Sequence, residues 1–247
     1  MRDYYFPDLS KRNTSDKEQL ELAGVDINRM GRTIRQFKMI NYLLSGSRRL
    51  VREHFFRIMS QNPEREYTLL DVGAGGCDIV VWVACEARRR GLKLRITALD
   101  NDKNLLSVAC QAVRDYPEIS IVEGDARQLN RLGAFDFVFS NHLLHHLDWD
   151  EIRTFLDSIL PRTRIAFLMN DLKRSRWAYL GFTIFSALLT RGSYHFYDGR
   201  LSIRRAFLPE EFRYFLQKNF PDCPIKVVET YPARLVLVHS TQEPPQR

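Results

Sequence analysis

Five apolar runs in this sequence stop at Asp71, Asp100, Asp125, Asn141 and Asp171. Four carboxylates brought to one place would make a cleft that attracts a cation. A single Asp at such a stop often only caps the next helix. Convergence of several argues for a ligand site. Directly after Asn141 come His142, His145 and His146, at i, i+3 and i+4, a spacing that predicts one shared helix face. Three readings stay open for them. One is a general base, or a histidine that orients a bound molecule, because imidazole titrates near neutrality. The second is capping and packing. The third is a metal site through His142 and His146, although no third ligand stands nearby in the sequence; no metal is assigned on that basis. Asp171 is a further group able to orient a substrate, and His195 is isolated.

The first of these stops leads into Gly73-Ala74-Gly75-Gly76-Cys77-Asp78. Glycines here permit positive φ and close approach of the backbone to a ligand. A dinucleotide fingerprint would need G-x-G-x-x-G. Counted from Gly73, its third glycine falls on Asp78. A carboxylate there would oppose a pyrophosphate at a helix N-terminus, which argues against NAD and FAD. A ligand with an ammonium group, a positive centre and no phosphate suits the turn, and S-adenosylmethionine (SAM) is such a ligand.

The elements that must hold these residues follow from periodicity. Residues 67–72 read as a buried strand and 79–90 as a helix. Strands follow at 94–99, 119–122, 135–139 and 164–169, with helices at 103–114 and 149–160. This alternation predicts an α/β fold with a doubly wound, mostly parallel sheet. The tail departs from it: a helix at 209–219, then strands at 225–229 and 233–239 joined by Tyr231-Pro232. A hairpin there makes seven strands with an antiparallel C-terminal edge. Ligands of such sheets sit beyond the carboxyl ends of the strands, where the five polar stops lie.

Two segments stand outside this alternation. Residues 1–60 read as a polar arm (1–24), a helix over 26–44, a break at Ser45-Gly46-Ser47 and a second helix bearing Leu50, Val51, Phe55, Ile58 and Met59. They form an N-terminal helical cap, and 61–247 the ligand-binding domain. Within it, 173–207 is an insertion holding the apolar run Trp177 to Leu189, flanked by Lys173, Arg174, Arg176 and Arg191. That run is too short to span a bilayer. It reads either as a buried helix or as a wall over a substrate pocket, with basic flanks suited to peripheral membrane contact. The net charge of +7 alone does not separate nucleic acid, an acidic membrane surface and plain solubility. Four cysteines without a C-x-x-C pair read as reduced core thiols of a cytoplasmic protein, and no secretory signal is evident.

The sequence resembles the class I SAM-dependent methyltransferases. The residues that carry the likeness are Leu69 to Gly75, Asp100, Gly124-Asp125-Ala126, Phe135 to Val138 and Ser140 to Leu147. The likeness covers about 66–172. It departs at Cys77, where the family usually has a third glycine. The resemblance implies a Rossmann-like fold, SAM as cofactor and S-adenosylhomocysteine as product. It implies that Gly73 and Gly75 approach the methionine moiety and that Asp71 lies near its ammonium. Asp100 with Asn101 would bind the ribose, Asp125 and Ala126 would reach the adenine, and Asn141 would line the cleft. His145, His146 and Asp171 are the catalytic candidates. Pro7 to Ser10, Ile40-Asn41, Asn170 to Ser175 and Asp198 to Phe207 look like a bacterial subgroup often found beside type III polyketide synthases. That likeness implies a small, lipophilic, phenolic acceptor, with O-methylation favoured over C-methylation. Two alternatives remain: a nucleic-acid methyltransferase, against which Asn141-His142-Leu143-Leu144 stands where N-P-P-Y would be, and a non-catalytic SAM-binding protein. Oligomeric state is not legible.

Overall fold

The computed structural model describes residues 7–22 and 26–241, without the side chains of Glu21, Ile27 and Asn104. A 3₁₀ turn at Gln19–Glu21 precedes two helical segments, α1 (Ile27–Leu44) and α2 (47–59), the latter with a π-helical turn at Arg52–Phe56. The alternating part is β1 (Glu66–Val72), α3 (Asp78–Arg89), β2 (Lys93–Asp100), α4 (Lys103–Val113), β3 (Ile119–Glu123), β4 (Phe135–Asn141), α5 (Trp149–Ile159) and β5 (Thr163–Leu172). Helices α6 (Arg176–Leu189), α7 (His195–Arg205) and α8 (Pro209–Asn219) precede the hairpin β6 (Lys226–Thr230) and β7 (Arg234–Ser240). The sheet order is β3-β2-β1-β4-β5-β7-β6. Its first five strands are parallel, and β7 runs antiparallel to both β5 and β6. The expected doubly wound sheet with an antiparallel edge is therefore present.

Period-two alternation explains why both faces are covered. Leu69, Phe137, Leu168 and Val236 point to one side, against α2, α3 and α4. Leu70, Val138, Phe167 and Leu237 point to the other, against α5 and α8. The β1–β4 register pairs Leu69 with Phe137 and Val72 with Ser140, so the strands end level with each other. Asp71 and Asn141 thereby come to the same rim.

Three expectations are refined. The second N-terminal helix buries Leu50, Val51, Phe55, Phe56 and Met59 in the sheet's own core, and only its first residue, Ser47, reaches the rim at the strand ends. Of the cysteines, only Cys77 is buried; Cys85 and Cys110 are exposed on α3 and α4. Helix α6 is not a buried helix. It buries Tyr179 and Ser186, while Trp177, Ile184 and Leu188 are 84%, 63% and 66% exposed. With Gly181 they form a stripe at i, i+4, i+7 and i+11. Hydropathy sees an all-apolar run, but it does not see which side is covered.

The described part of the arm is irregular but tethered. Leu9 is buried with Tyr179 and Ile203. Arg12 donates to the carbonyls of His145 and Leu147 at 2.8 and 2.7 Å. The backbone N–H groups of Gln19 and Leu20 donate to Asp198. Residues 1–6, 23 and 24 of the expected arm lie outside the described residues. Helices α6 and α7 meet at Gly199, where any Cβ would overlap the ring of Phe182.

Candidate active site

The glycine turn is built as its composition requires. Gly73 and Gly75 have φ of 75° and 54°, and Cys77 has φ of 61°. A non-glycine residue pays roughly 1–2 kcal/mol for that region, yet Cys77 keeps the turn's shape and is the N-cap of α3. The backbone N–H groups of Gly73 and Ala74 donate to the Leu99 carbonyl at 2.8 and 3.0 Å, curling the turn over the end of β2.

Three carboxylates meet at this turn. Asp71 is buried, and its Oδ1 has no hydrogen-bond partner among the described residues. Burial, then Asp78 and Asp100, hold its carboxyl well above the usual carboxylate range. Burial also raises Asp78, against the amide of Asn41, which donates to it at 3.1 Å. Asp100 accepts from the N–H of Gly75 at 2.7 Å and of Asp102 at 2.9 Å. A carboxylate has about four lone-pair sites, so Asp100 retains acceptor capacity for hydroxyl groups. An orphaned buried oxygen among acidic neighbours fits a cationic ligand, and these residues fit the ammonium and ribose of SAM. Asn101 is exposed just past β2. Asp125 turns to Arg127, which also holds Glu151 at 2.6 Å. Ala126 packs against the core beside it.

Asn141 is engaged in a buried amide network that the sequence did not announce. Its Oδ1 accepts from Ser47 Oγ at 3.0 Å, Asn170 Nδ2 at 2.9 Å and Arg234 Nη2 at 3.3 Å. Its Nδ2 donates to Asn41 Oδ1 at 3.2 Å. Arg234 is buried, donates to Asn170 Oδ1 at 3.1 Å and lies 3.3 Å from His142 Nε2. Burial pushes its guanidinium down to about 10, with Asp171 opposing. Thus α1, α2, β4, β5 and β7 are tied together at one rim.

The histidines do not share a helix face. His142 has φ of 61°, and only the 3₁₀ turn Leu144–His146 follows. The reason is local: the His142 N–H donates to the Asn170 carbonyl at 3.0 Å, which bends the chain before a helix can start. Burial, then Arg234, keep His142 neutral. His145 is buried, with Nδ1 2.7 Å from Asp171 Oδ1 and its N–H donating to Asp171 Oδ2 at 2.8 Å. Glu18 Oε1 stands 3.7 Å from His145 Nε2. Burial opposes charge on His145, but Asp171 and Glu18 outweigh it and hold the imidazolium up to about 9. The His146 ring lies 4.2 Å from that of His145, and His146 is half-buried. His195 belongs elsewhere: it is buried and bonded to the Thr33 carbonyl at 2.9 Å. The turn and its carboxylates form one group, and His145, His146 and Asp171 a second. Both lie at the carboxyl ends of the strands. A groove of about 530 Å³ lined by Glu66, Thr68, Ile96 and Ser120 lies at the opposite, amino ends, away from this chemistry.

Residues 69–164 match the model of a methyltransferase domain. No curated protein matched the chain. Among solved structures, the chain is similar to the plantazolicin methyltransferase BpumL in complex with a triazolic desmethylPZN analog and S-adenosylhomocysteine. That pair is 14% identical, covers 85% of this chain and 91% of that one, and has a TM-score of 0.63. A SAM-dependent methyltransferase from Aquifex aeolicus is 15% identical, covering 83% of this chain and 95% of its own, with a TM-score of 0.58. An O-methyltransferase family 2 protein from Planctomyces limnophilus, in complex with apigenin, is 15% identical, with coverage of 71% and 51% and a TM-score of 0.51. At these identities the structures speak for the fold. The domain match and the fold agree on a methyltransferase enzyme whose cofactor is SAM.

Proposed function

We propose that this chain transfers the methyl group of SAM to the oxygen of a small, lipophilic, phenolic acceptor. The observation that carries the cofactor half is the orphaned carboxylate oxygen of Asp71 between Asp78 and Asp100. Asp71 takes the ammonium, Gly73 and Gly75 the methionine backbone, Asp100 with Asn101 the ribose, and Asp125 with Ala126 the adenine edge. Asn141 fixes the floor of the cleft.

On the acceptor side, both ring nitrogens of His145 face carboxylates, Asp171 and Glu18. Neither is placed to take a proton from an acceptor. His145 and Asp171 therefore orient the turn, and His146 is the base. A phenol has a pKa near 10, so a positioned base contributes about 10²–10⁴-fold. The apigenin complex of a fold relative and the subgroup likeness support a phenolic acceptor. Many basic side chains are already paired, Arg88 with Glu118, Arg90 with Glu86 and Arg127 with Asp125, which leaves less for nucleic-acid phosphates. A panel of alkylphenols incubated with SAM and read by mass tests the reading. Addition of one methyl to a phenol is expected. A protein that binds SAM and methylates no phenol in the panel would exclude the phenolic acceptor.

The exposed stripe of α6 gives the acceptor's source a physical form. Trp177, Ile184 and Leu188 face outward between the exposed basic residues Arg176 and Arg191. No helix among the described residues is long and apolar enough to cross a membrane. The stripe instead lies on an anionic lipid surface, from which a lipophilic phenol would enter. Burying one Trp or Ile is worth about 1.5–3 kcal/mol. The double variant Trp177→Glu/Ile184→Glu is expected to lower binding to phosphatidylserine vesicles by more than about tenfold. Equal sedimentation of the two proteins with those vesicles would refute this contact.

A further inference from the structure

Glu18, His145 and His146 make a cluster that no cofactor contact uses. We propose that they bind one divalent transition-metal ion of the zinc or cobalt kind, with Asp171 as the group that orients His145. One ligand atom from each residue lies within 4.8 Å of the other two. The separation of His145 Nε2 and Glu18 Oε1, 3.7 Å, is too long for a hydrogen bond. It is near the ~3.4 Å edge of a tetrahedron with metal–ligand bonds of about 2.0–2.1 Å.

The second ring nitrogen supplies the stronger argument. A metal-ligating histidine almost always gives its other N–H to a carboxylate or carbonyl, which fixes the tautomer. For His145 that partner is in place: Nδ1 lies 2.7 Å from Asp171 Oδ1, and Asp171 Oδ2 holds the residue's own N–H at 2.8 Å. Nε2 is then the ligand atom and points to Glu18. Glu18 is itself positioned, accepting from Ser202 Oγ at 2.6 Å. Two imidazoles and one carboxylate are the donor set of an open four-coordinate zinc site. Calcium and magnesium prefer oxygen ligands throughout. A second trio, His142, His145 and Asp171, also lies within 4.8 Å. An ion there would have to break the bond between His145 and Asp171, so the trio with Glu18 is preferred.

The sequence pairs His142 with His146 and shows no third ligand; the fold brings His145 to His146 instead, and the third ligand, Glu18, comes from the arm. Its hold on the site runs through backbone bonds at Gln19 and Leu20 to Asp198 of α7. A divalent ion held by these residues would supply a Lewis acid for an acceptor hydroxyl. A histidine bound to an ion cannot also accept a proton, so an ion here would relieve His146 of that task. This use rests on the methyltransferase reading; the metal site itself does not.

The test is a cobalt(II) titration of the chelator-stripped full chain, followed by visible absorption and by equilibrium dialysis, with SAM binding measured on the same samples. The wild type is expected to take up one equivalent saturably and to release it to zinc. Glu18→Gln, which preserves shape, and His146→Ala should each weaken cobalt at least tenfold with SAM binding kept. Asp171→Asn should weaken it by about 10–100-fold. Absence of saturable uptake by a wild type that binds SAM overturns the metal site and leaves the methyltransferase reading standing. Cobalt bound as tightly by Glu18→Gln and His146→Ala as by the wild type also overturns it. Cobalt uptake without SAM binding would sink the other reading instead.

Discussion

Asp71→Asn is expected to raise the melting temperature of the cofactor-free protein and, in the same variant, to weaken SAM binding. The buried Oδ1 of Asp71 has no partner, and Asp78 and Asp100 repel it. Leaving a buried acceptor unsatisfied costs about 1–3 kcal/mol. At this chain length that is roughly 2–12 °C in Tm. The sign with pH follows from linkage. A carboxyl whose folded pKa is raised favours unfolding when ionised, so its cost grows as pH climbs from about 3.9 through the raised value. The gain in Tm should therefore shrink as pH falls toward the ordinary carboxylate range. A charge-assisted bond to the ligand's ammonium contributes about 1.5–3 kcal/mol, so SAM affinity should fall roughly 10- to 150-fold. Scanning fluorimetry with and without SAM, together with calorimetry, checks both halves. A drop in Tm with unchanged SAM affinity would remove Asp71 from the cofactor site.

The opposed signs identify what kind of group Asp71 is. A residue kept for stability loses stability when replaced. A residue strained in the free protein and relieved by ligand shows a trade between stability and function. Asp136 offers the contrast: it is also a buried carboxylate, but Arg65 and the N–H and hydroxyl of Thr68 satisfy it. Its replacement should only destabilise.

What the sequence revealed and what it hid follow one physical division. The parallel strands were legible because each is a mostly apolar run between turn residues, as at Tyr67 to Val72 or Phe137 to Phe139. The glycine turn was legible because positive φ at Gly73 and Gly75 leaves a compositional mark. His142 was not. The Leu143-Leu144 spacing imitates a helix, while a single bond to the Asn170 carbonyl turns the chain instead. Glu18, Asn41, Ser47 and Arg234 were invisible as site residues, because each is an ordinary polar residue whose partner lies far away in sequence. Asn41 does occur among the residues of the subgroup likeness, which is the one signal that marked it. The apolar run of α6 misled in the other direction: its composition fits a buried helix, and only packing shows that Trp177 and Leu188 face outward.

Arg174→Met is expected to cost about 1.5–3 kcal/mol, the loss of hydrogen bonds made by a charged group, and so roughly 3–12 °C in Tm. In the sequence Arg174 stands with Lys173, Arg176 and Arg191 as a basic flank of the apolar run. Its side chain is instead fully buried. Nε donates to the Leu9 carbonyl at 3.1 Å and Nη1 to the Ala206 carbonyl at 2.7 Å. Nη2 pairs with Glu211 Oε1 at 2.5 Å, and Oε2 of the same carboxylate caps α8 by accepting from the Leu208 N–H at 2.8 Å. One guanidinium thereby joins the arm, the exit of α7 and the start of α8. Methionine fills similar volume, so the loss reports the bonds rather than a cavity. Arg176 and Arg191 are exposed, and Arg176→Met and Arg191→Met should stay within about 0.5 kcal/mol of the wild type. The arm should also open: amide exchange at Asn13, whose N–H donates to the Arg204 carbonyl at 3.0 Å, is expected to accelerate in Arg174→Met and not in the two surface variants. Equal Tm across the three variants would show that Arg174 is one more surface charge. A lower Tm with unchanged exchange in the arm would confine its effect to the cap of α8.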